Sequence, residues 1–124
     1  MLVLIKGGTM SVKIYHNPRC GKSRQTLQLL KDKGIEPEVI EYLKTSPSAE
    51  ELADILEKLG MEPRDLMRKQ ETEYKANGLD NSALDKQSLI NSMVNHPILI
   101  ERPIVVANGK AAVGRPPENV LGIL

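Results

Sequence analysis

The sequence predicts an α/β fold: a central mixed sheet of about four strands with an inserted helical region. Three observations carry this. An apolar, β-prone run at Val12–His16 is followed by a helical pattern and then a second β-prone run. A long middle stretch has helical periodicity and helix caps. Near the end, Asn108-Gly109 joins two further β-prone runs as a tight hairpin. The strand–helix–strand order implies parallel pairing, whereas the hairpin implies antiparallel pairing, so the sheet is mixed.

Each element has its own warrant. Val12–His16 is the first strand, and Asn17-Pro18 after it is a turn signal. Ser23 to about Lys33 is the first helix, with Leu27, Leu29 and Leu30 turned inward and Gly34 as its stop. Glu38–Leu43 is the second strand. Ser48 caps the next helix, with Glu51 at the capping-box position. Leu52, Ile55, Leu56 and Leu59 share one face of that helix, and Gly60 ends it. The polar stretch from Glu62 to Asp80 has weaker periodicity and predicts short helices. Asp85–Asn95 is a helix with Leu89, Ile90 and Met93 as its apolar set, stopped by Pro97. Arg102–Ala107 and Lys110–Val113 are the third and fourth strands. Pro116-Pro117 opens a terminal helix holding Val120, Leu121, Ile123 and Leu124. Met1–Met10 is expected to be a flexible N-terminal extension, which leaves 11–124 as one domain. Met1–Ile5 is apolar but too short for a signal segment or a membrane span.

Composition narrows the function classes. With no Trp, no Phe and 3 Tyr among 124 residues, the core is built from Leu, Ile, Val and Met, and base-stacking platforms are disfavoured. A net charge of +1 gives no general attraction to nucleic acid or membrane, so any anion site is local. One cysteine excludes an intramolecular disulfide and suits a reducing, cytoplasmic setting.

That cysteine, Cys20, sits where the first strand hands over to the first helix. A thiol at a helix N-terminus faces unpaired N–H groups and the positive end of the helix dipole. Both favour the thiolate, which is the reactive form. Arg19, Lys22 and Arg24 add positive charge. A lone cysteine is commonly a small buried hydrophobe, but Pro18, Arg19, Gly21, Lys22 and Ser23 make a poor core environment. The residues therefore point to a thiolate nucleophile with an anionic substrate.

Two arginines extend the pattern. Arg102 opens the third expected strand and Arg115 ends the fourth. Counted from the Asn108-Gly109 turn they are about equally distant, so they are expected side by side. An anion between them would offset their repulsion, and guanidinium forks suit tetrahedral oxyanions. Pairing with Glu101, Glu118 or the C-terminal carboxylate is an equal alternative. Arg68 lies in a polar helical stretch and is weaker by itself. His16, four residues before Cys20, could shuttle protons or orient the loop; His96 suits a helix end. One Cys and two distant His make no metal-ligand cluster, so no metal site is expected.

Together these segments resemble the glutaredoxin-coupled arsenate reductase (ArsC) family, and most closely its housekeeping-type branch. The matching segments are Ile14–Pro18, Cys20–Arg24, Leu66–Lys69, His96–Val106 and Gly114–Glu118. The resemblance implies a thioredoxin-like fold and assigns roles by position. Cys20 is the nucleophile, His16 and Ser23 modulate the thiolate, and Arg68, Arg102 and Arg115 bind the oxyanion. Pro103 is the cis-proline of the fold. The resemblance further implies that the thiolate attacks arsenate, that glutathione serves as cosubstrate with no tightly bound cofactor, and that glutaredoxin resolves the adduct. The lone cysteine agrees independently, because a second thiol must come from outside. Lys22 and Arg19 depart from the smaller residues common in the family and raise the local positive charge.

Two other functions share parts of the pattern. An Spx-like regulator binding RNA polymerase would carry its redox switch as Cys-x-x-Cys, but Ser23 stands at the fourth position. A monothiol glutaredoxin-like carrier fits Cys20-Gly21-Lys22-Ser23, although the arginines are extra to it. A small tyrosine phosphatase would need Arg six residues after the cysteine, where this chain has Thr26.

Overall fold

The computed structural model describes residues 11–124; the expectations for residues 1–10 lie outside the described residues. The chain divides into two compact units. One runs through Tyr42 and resumes at Arg102–Leu124, and the other is Leu43–Glu101.

The first unit is built on a four-stranded sheet. Its elements are β1 (Val12–His16), α1 (Gly21–Asp32), β2 (Glu38–Glu41), β3 (Ile104–Ala107), β4 (Lys110–Val113) and a 3-10 helix, Pro117–Ile123. The strand order is β2-β1-β3-β4. β1 pairs with β2 in parallel and with β3 antiparallel, and β3 and β4 form the hairpin. Asn108 and Gly109 have φ of 56° and 73°, the two positive values that a type I′ turn needs. Alternation places Val12 and Ile14 of β1 on the same face as their partners Ala107 and Val105. That face is closed by Leu30 of α1 and Val120 of the 3-10 helix, all buried.

Several boundaries differ from the sequence expectation for identifiable reasons. α1 begins at Gly21 because Cys20, in extended conformation, is itself the N-cap. Ser23 and Thr26 occupy fully buried positions on α1, while Leu27 and Leu29 only flank the core. β2 stops at Glu41; it is an edge strand with Glu38 and Val39 exposed. β3 begins at Ile104, since Pro103 has no N–H for the ladder. The Arg102–Pro103 and Arg115–Pro116 bonds are both cis. The closing helix is 3-10 throughout, opened by Pro116 and Pro117.

The second unit is helical. α2 (Ala49–Leu59) starts on the expected capping box: Glu51 N–H donates to Ser48 Oγ at 3.1 Å, and Ser48 N–H donates to Glu51 Oε1 at 3.4 Å. Gly60, at φ 68°, ends it in the left-handed region. The polar stretch folds as a 3-10 turn, Pro63–Leu66, and the short helix α3 (Thr72–Ala76). Arg64 pins it by donating to the Tyr74 hydroxyl and to the carbonyls of Leu79 and Asn81. α4 (Lys86–Asn95) is capped by Asp85, whose carboxylate accepts from Ser88 N–H at 2.8 Å. Leu52, Leu56, Ile90 and Met93 are fully buried between these helices' apolar faces and Leu66 and Leu99. No helix among the described residues is long and apolar enough to cross a membrane.

Candidate active site around Cys20

The segment between β1 and α1 is held by its own backbone. Cys20 N–H donates to Asn17 C=O at 3.0 Å, Arg19 N–H to Asn17 Oδ1 at 3.0 Å, and Arg24 N–H to Cys20 C=O at 3.0 Å. The Arg24 guanidinium reaches back to Pro18 C=O, also at 3.0 Å. Cys20 is thereby fixed at the first turn of α1 with its thiol partly exposed. The first turn of α1 carries no acidic residue to oppose a thiolate.

Beneath the loop lies a buried polar pair. His16 Nδ1 and Ser23 Oγ are 2.6 Å apart, and the same Ser23 oxygen accepts from Asn17 N–H at 3.0 Å. Both side chains are buried. Burial pushes the His16 pKa down; Glu41 opposes this, and Arg24 and Lys31 add to it. His16 is therefore held toward its neutral form. Ser23 links this pair to the sulfur, since its backbone N–H acts on Cys20.

The cis Arg102–Pro103 segment and the end of β4 bring two cations to the same thiol. The β3–β4 register sets Ile104 against Val113, so Arg102 and Arg115 come out level, as the hairpin count implies. Arg115 Nη1 lies 3.8 Å from Cys20 Sγ and donates to Arg102 C=O at 3.2 Å. The Arg115 carbonyl in turn accepts from Asn119 Nδ2 at 3.0 Å. Burial pushes the Cys20 thiol up, but the Ser23 N–H, then Arg102, then Arg115 outweigh it. The net pKa lies below the usual thiol value. The pH profile of Cys20 alkylation by iodoacetamide should accordingly have its midpoint below the roughly 8.5 of free cysteine. A midpoint at or above that of free cysteine in the same buffer would contradict the assigned electrostatics.

Arg68 belongs to the second unit. Its Nε and Nη2 lie 3.1 and 3.0 Å from Glu71 Oε2, and its Nη1 lies 3.0 Å from Glu101 Oε1. The Met67–Ile100 bridge sets the backbone there, with Arg68 N–H donating to Leu99 C=O at 2.7 Å. Burial lowers the Arg68 pKa, but the two carboxylates outweigh it and hold the guanidinium charged. Glu101, one candidate partner for Arg102 on sequence grounds, is thus engaged by Arg68. Among the described residues, no group of three or more His, Cys, Asp or Glu could hold a metal ion.

Sequence reasoning missed two contributors to this geometry. Thr26 and Gly114 meet across the unit: Thr26 Oγ1 lies 3.5 Å from the Gly114 carbonyl oxygen. The available signal was a threonine one turn before Leu30 on the same helix face, where an apolar residue is the rule.

Chemically, two guanidiniums and a helix N-terminus converge on one thiol, which suits a thiolate and a tetrahedral oxyanion beside it. The sequence pattern of the ArsC family matches residues 15–123. An arsenate reductase of Neisseria meningitidis is 54% identical over 114 residues, covering 91% of this chain and 97% of that protein. The Escherichia coli protein YfgD, described as uncharacterized, is 58% identical over 117 residues, covering 94% and 98%. A solved structure described as an arsenate reductase from Vibrio cholerae superposes with a TM-score of 0.90 at 57% identity, covering 93% of this chain and 98% of that one. This chain belongs to the ArsC family and has its thioredoxin-like fold.

Proposed function

We propose that this ArsC-family protein is an arsenate reductase whose nucleophile is Cys20. The observation that carries the proposal is the convergence of Arg102, Arg115 and the Ser23 N–H on one thiol of lowered pKa. Relatives at 44–58% identity, several of them named arsenate reductase, support the choice of oxyanion.

In the proposed reaction the Cys20 thiolate attacks arsenic(V), forming a sulfur–arsenic bond as one arsenate oxygen departs as water. Arg102 and Arg115 bind the remaining oxygens and offset their charge. Arg68 is assigned the same role by its position in the family pattern. Its guanidinium is paired with Glu71 and Glu101 and held in the charged form. His16 and Ser23 tune the thiolate from beneath. Arsenic(V) becomes arsenic(III) by taking two electrons, and two thiols supply them by closing one disulfide. Cys20 is the chain's one cysteine, so at least one of these thiols comes from outside; in the proposed reaction both do, and Cys20 is regenerated as a thiol. We assign the first to glutathione, which adds to arsenic in the Cys20 adduct as a second oxygen departs as water. We assign the second to glutaredoxin, whose thiolate attacks the glutathione sulfur so that the sulfur–arsenic electron pair stays on arsenic, now arsenic(III). Water then cleaves the Cys20–arsenic bond, releasing arsenite and the free thiol. The need for external thiols fits a reducing, cytoplasmic setting.

The test is NADPH oxidation coupled through glutathione reductase, with arsenate and glutaredoxin omitted in turn, and arsenite formation measured directly with glutathione replaced by a non-thiol reductant. Turnover is expected to require arsenate, glutaredoxin and glutathione. Turnover without arsenate, undiminished turnover without glutaredoxin, or arsenite formed as fast without glutathione would overturn the assignment. In the same assay Arg102→Ala and Arg115→Ala should each lower kcat/KM for arsenate about ten-fold or more, since each removes a charged hydrogen-bond donor to the anion. Unchanged kcat and KM in both variants would remove them from the site.

A further inference from the structure

The Cys20 sulfur and the Arg115 guanidinium belong to segments far apart in sequence, and one buried polar side chain stands between the backbones that carry them. Thr26 lies on α1, six residues after Cys20, with no exposed surface. Its hydroxyl donates to Lys22 C=O at 2.8 Å, one turn back, which locks its rotamer. Its other side meets Gly114, the residue before Arg115. The approach there is closer than any side chain permits. A Cβ on Gly114 would stand 2.5 Å from Thr26 Oγ1, 3.0 Å from its methyl carbon and 2.9 Å from Pro103 Cγ. Gly114 N–H also donates to Pro103 C=O at 2.9 Å, so this contact ties together the helix, the cis-proline segment and the strand end.

We infer that Thr26 is a positioning residue: its side chain is the spacer that sets the separation between Arg115 Nη1 and Cys20 Sγ. It acts through Gly114, and its shape does the spacing. The hydroxyl's proton is already used within α1, and the 3.5 Å approach to the Gly114 carbonyl is too long to hold the strand by itself. A residue of the same volume should keep the separation, and a smaller one should let the strand end shift. The inference rests on Cys20 and Arg115 forming one site, and it is independent of which oxyanion is the substrate.

The experiment is the rate of Cys20 alkylation by iodoacetamide at neutral pH, measured on the full chain. Thr26→Ala and Thr26→Val are each made in the wild-type and Arg115→Ala backgrounds. Thr26→Ala should slow alkylation about two-fold or more, through a smaller thiolate fraction. Thr26→Val should react at the wild-type rate. In the Arg115→Ala background Thr26→Ala should add nothing, because the group it positions is gone. A wild-type rate in Thr26→Ala, equal slowing in both backgrounds, or the same slowing in Thr26→Val would each overturn the inference. So would Arg115→Ala alone leaving the rate unchanged. Should Thr26→Ala not fold, Thr26→Ser removes only the methyl, keeps the closer Oγ1 contact, and is expected to show a smaller Arg115-dependent slowing; no slowing in it would overturn the inference. Absence of arsenate turnover would bear on the proposed substrate and leave these outcomes standing.

Discussion

Cys20→Ser is expected to abolish arsenate reduction, by about three orders of magnitude or more, and to leave the fold in place. The side chains are nearly the same size, so packing around the first turn of α1 is preserved. Serine is moreover a favoured N-cap residue, and Cys20 occupies the N-cap. What is lost is the thiolate. A hydroxyl at that position stays protonated near neutral pH and has no comparable nucleophilicity toward arsenic. The coupled NADPH assay reads the activity, and far-ultraviolet circular dichroism with a thermal melt reads the fold. Residual turnover within about ten-fold of wild type would remove Cys20 from the chemical step.

Gly114→Ala has the largest expected effect on stability. A Cβ there would meet Thr26 and Pro103 at 2.5–3.0 Å, and the atoms it meets are short, buried side chains on two different segments. Neither can swing away cheaply, as a long exposed side chain could. Overpacking of this kind costs about 2–3 kcal/mol, or roughly a 10 °C fall in Tm for a domain of this size. Gly122 is the matched control: a Cβ there has nothing within 4 Å, so Gly122→Ala should melt close to wild type. If the two variants melted alike, the close approach at Gly114 would not be a constraint on the fold.

How far the sequence revealed the molecule depended on whether the information was local. The Ser48 and Glu51 box, Gly60 after α2 and the Asn108-Gly109 turn each act within a few residues, and each was legible. The hairpin count even carried a tertiary result, because a two-residue turn fixes the register and so sets Arg102 level with Arg115. Contacts across long separations were not legible. Nothing in the local sequence says that Arg115 donates to the Arg102 carbonyl, or that Arg68 engages both Glu71 and Glu101. The cis bond at Arg115–Pro116 gave no signal either, and the one at Arg102–Pro103 was expected only through the family resemblance. Thr26 is the clearest miss. Helical periodicity ranks a buried face by hydrophobicity, so it favoured Leu27 and Leu29 over the threonine that is actually enclosed.

The central claim is that the thiolate and the oxyanion cradle are one site. The measurement that tests it most directly is Cys20 alkylation by iodoacetamide across a series of arsenate concentrations, in the absence of glutathione. An oxyanion held by Arg102 and Arg115 must cover the sulfur, or bond to it. The rate should therefore fall saturably with arsenate in the wild type, and that protection should weaken in Arg102→Ala and Arg115→Ala. An alkylation rate independent of arsenate, with the thiol still reactive and the protein folded, would contradict the account.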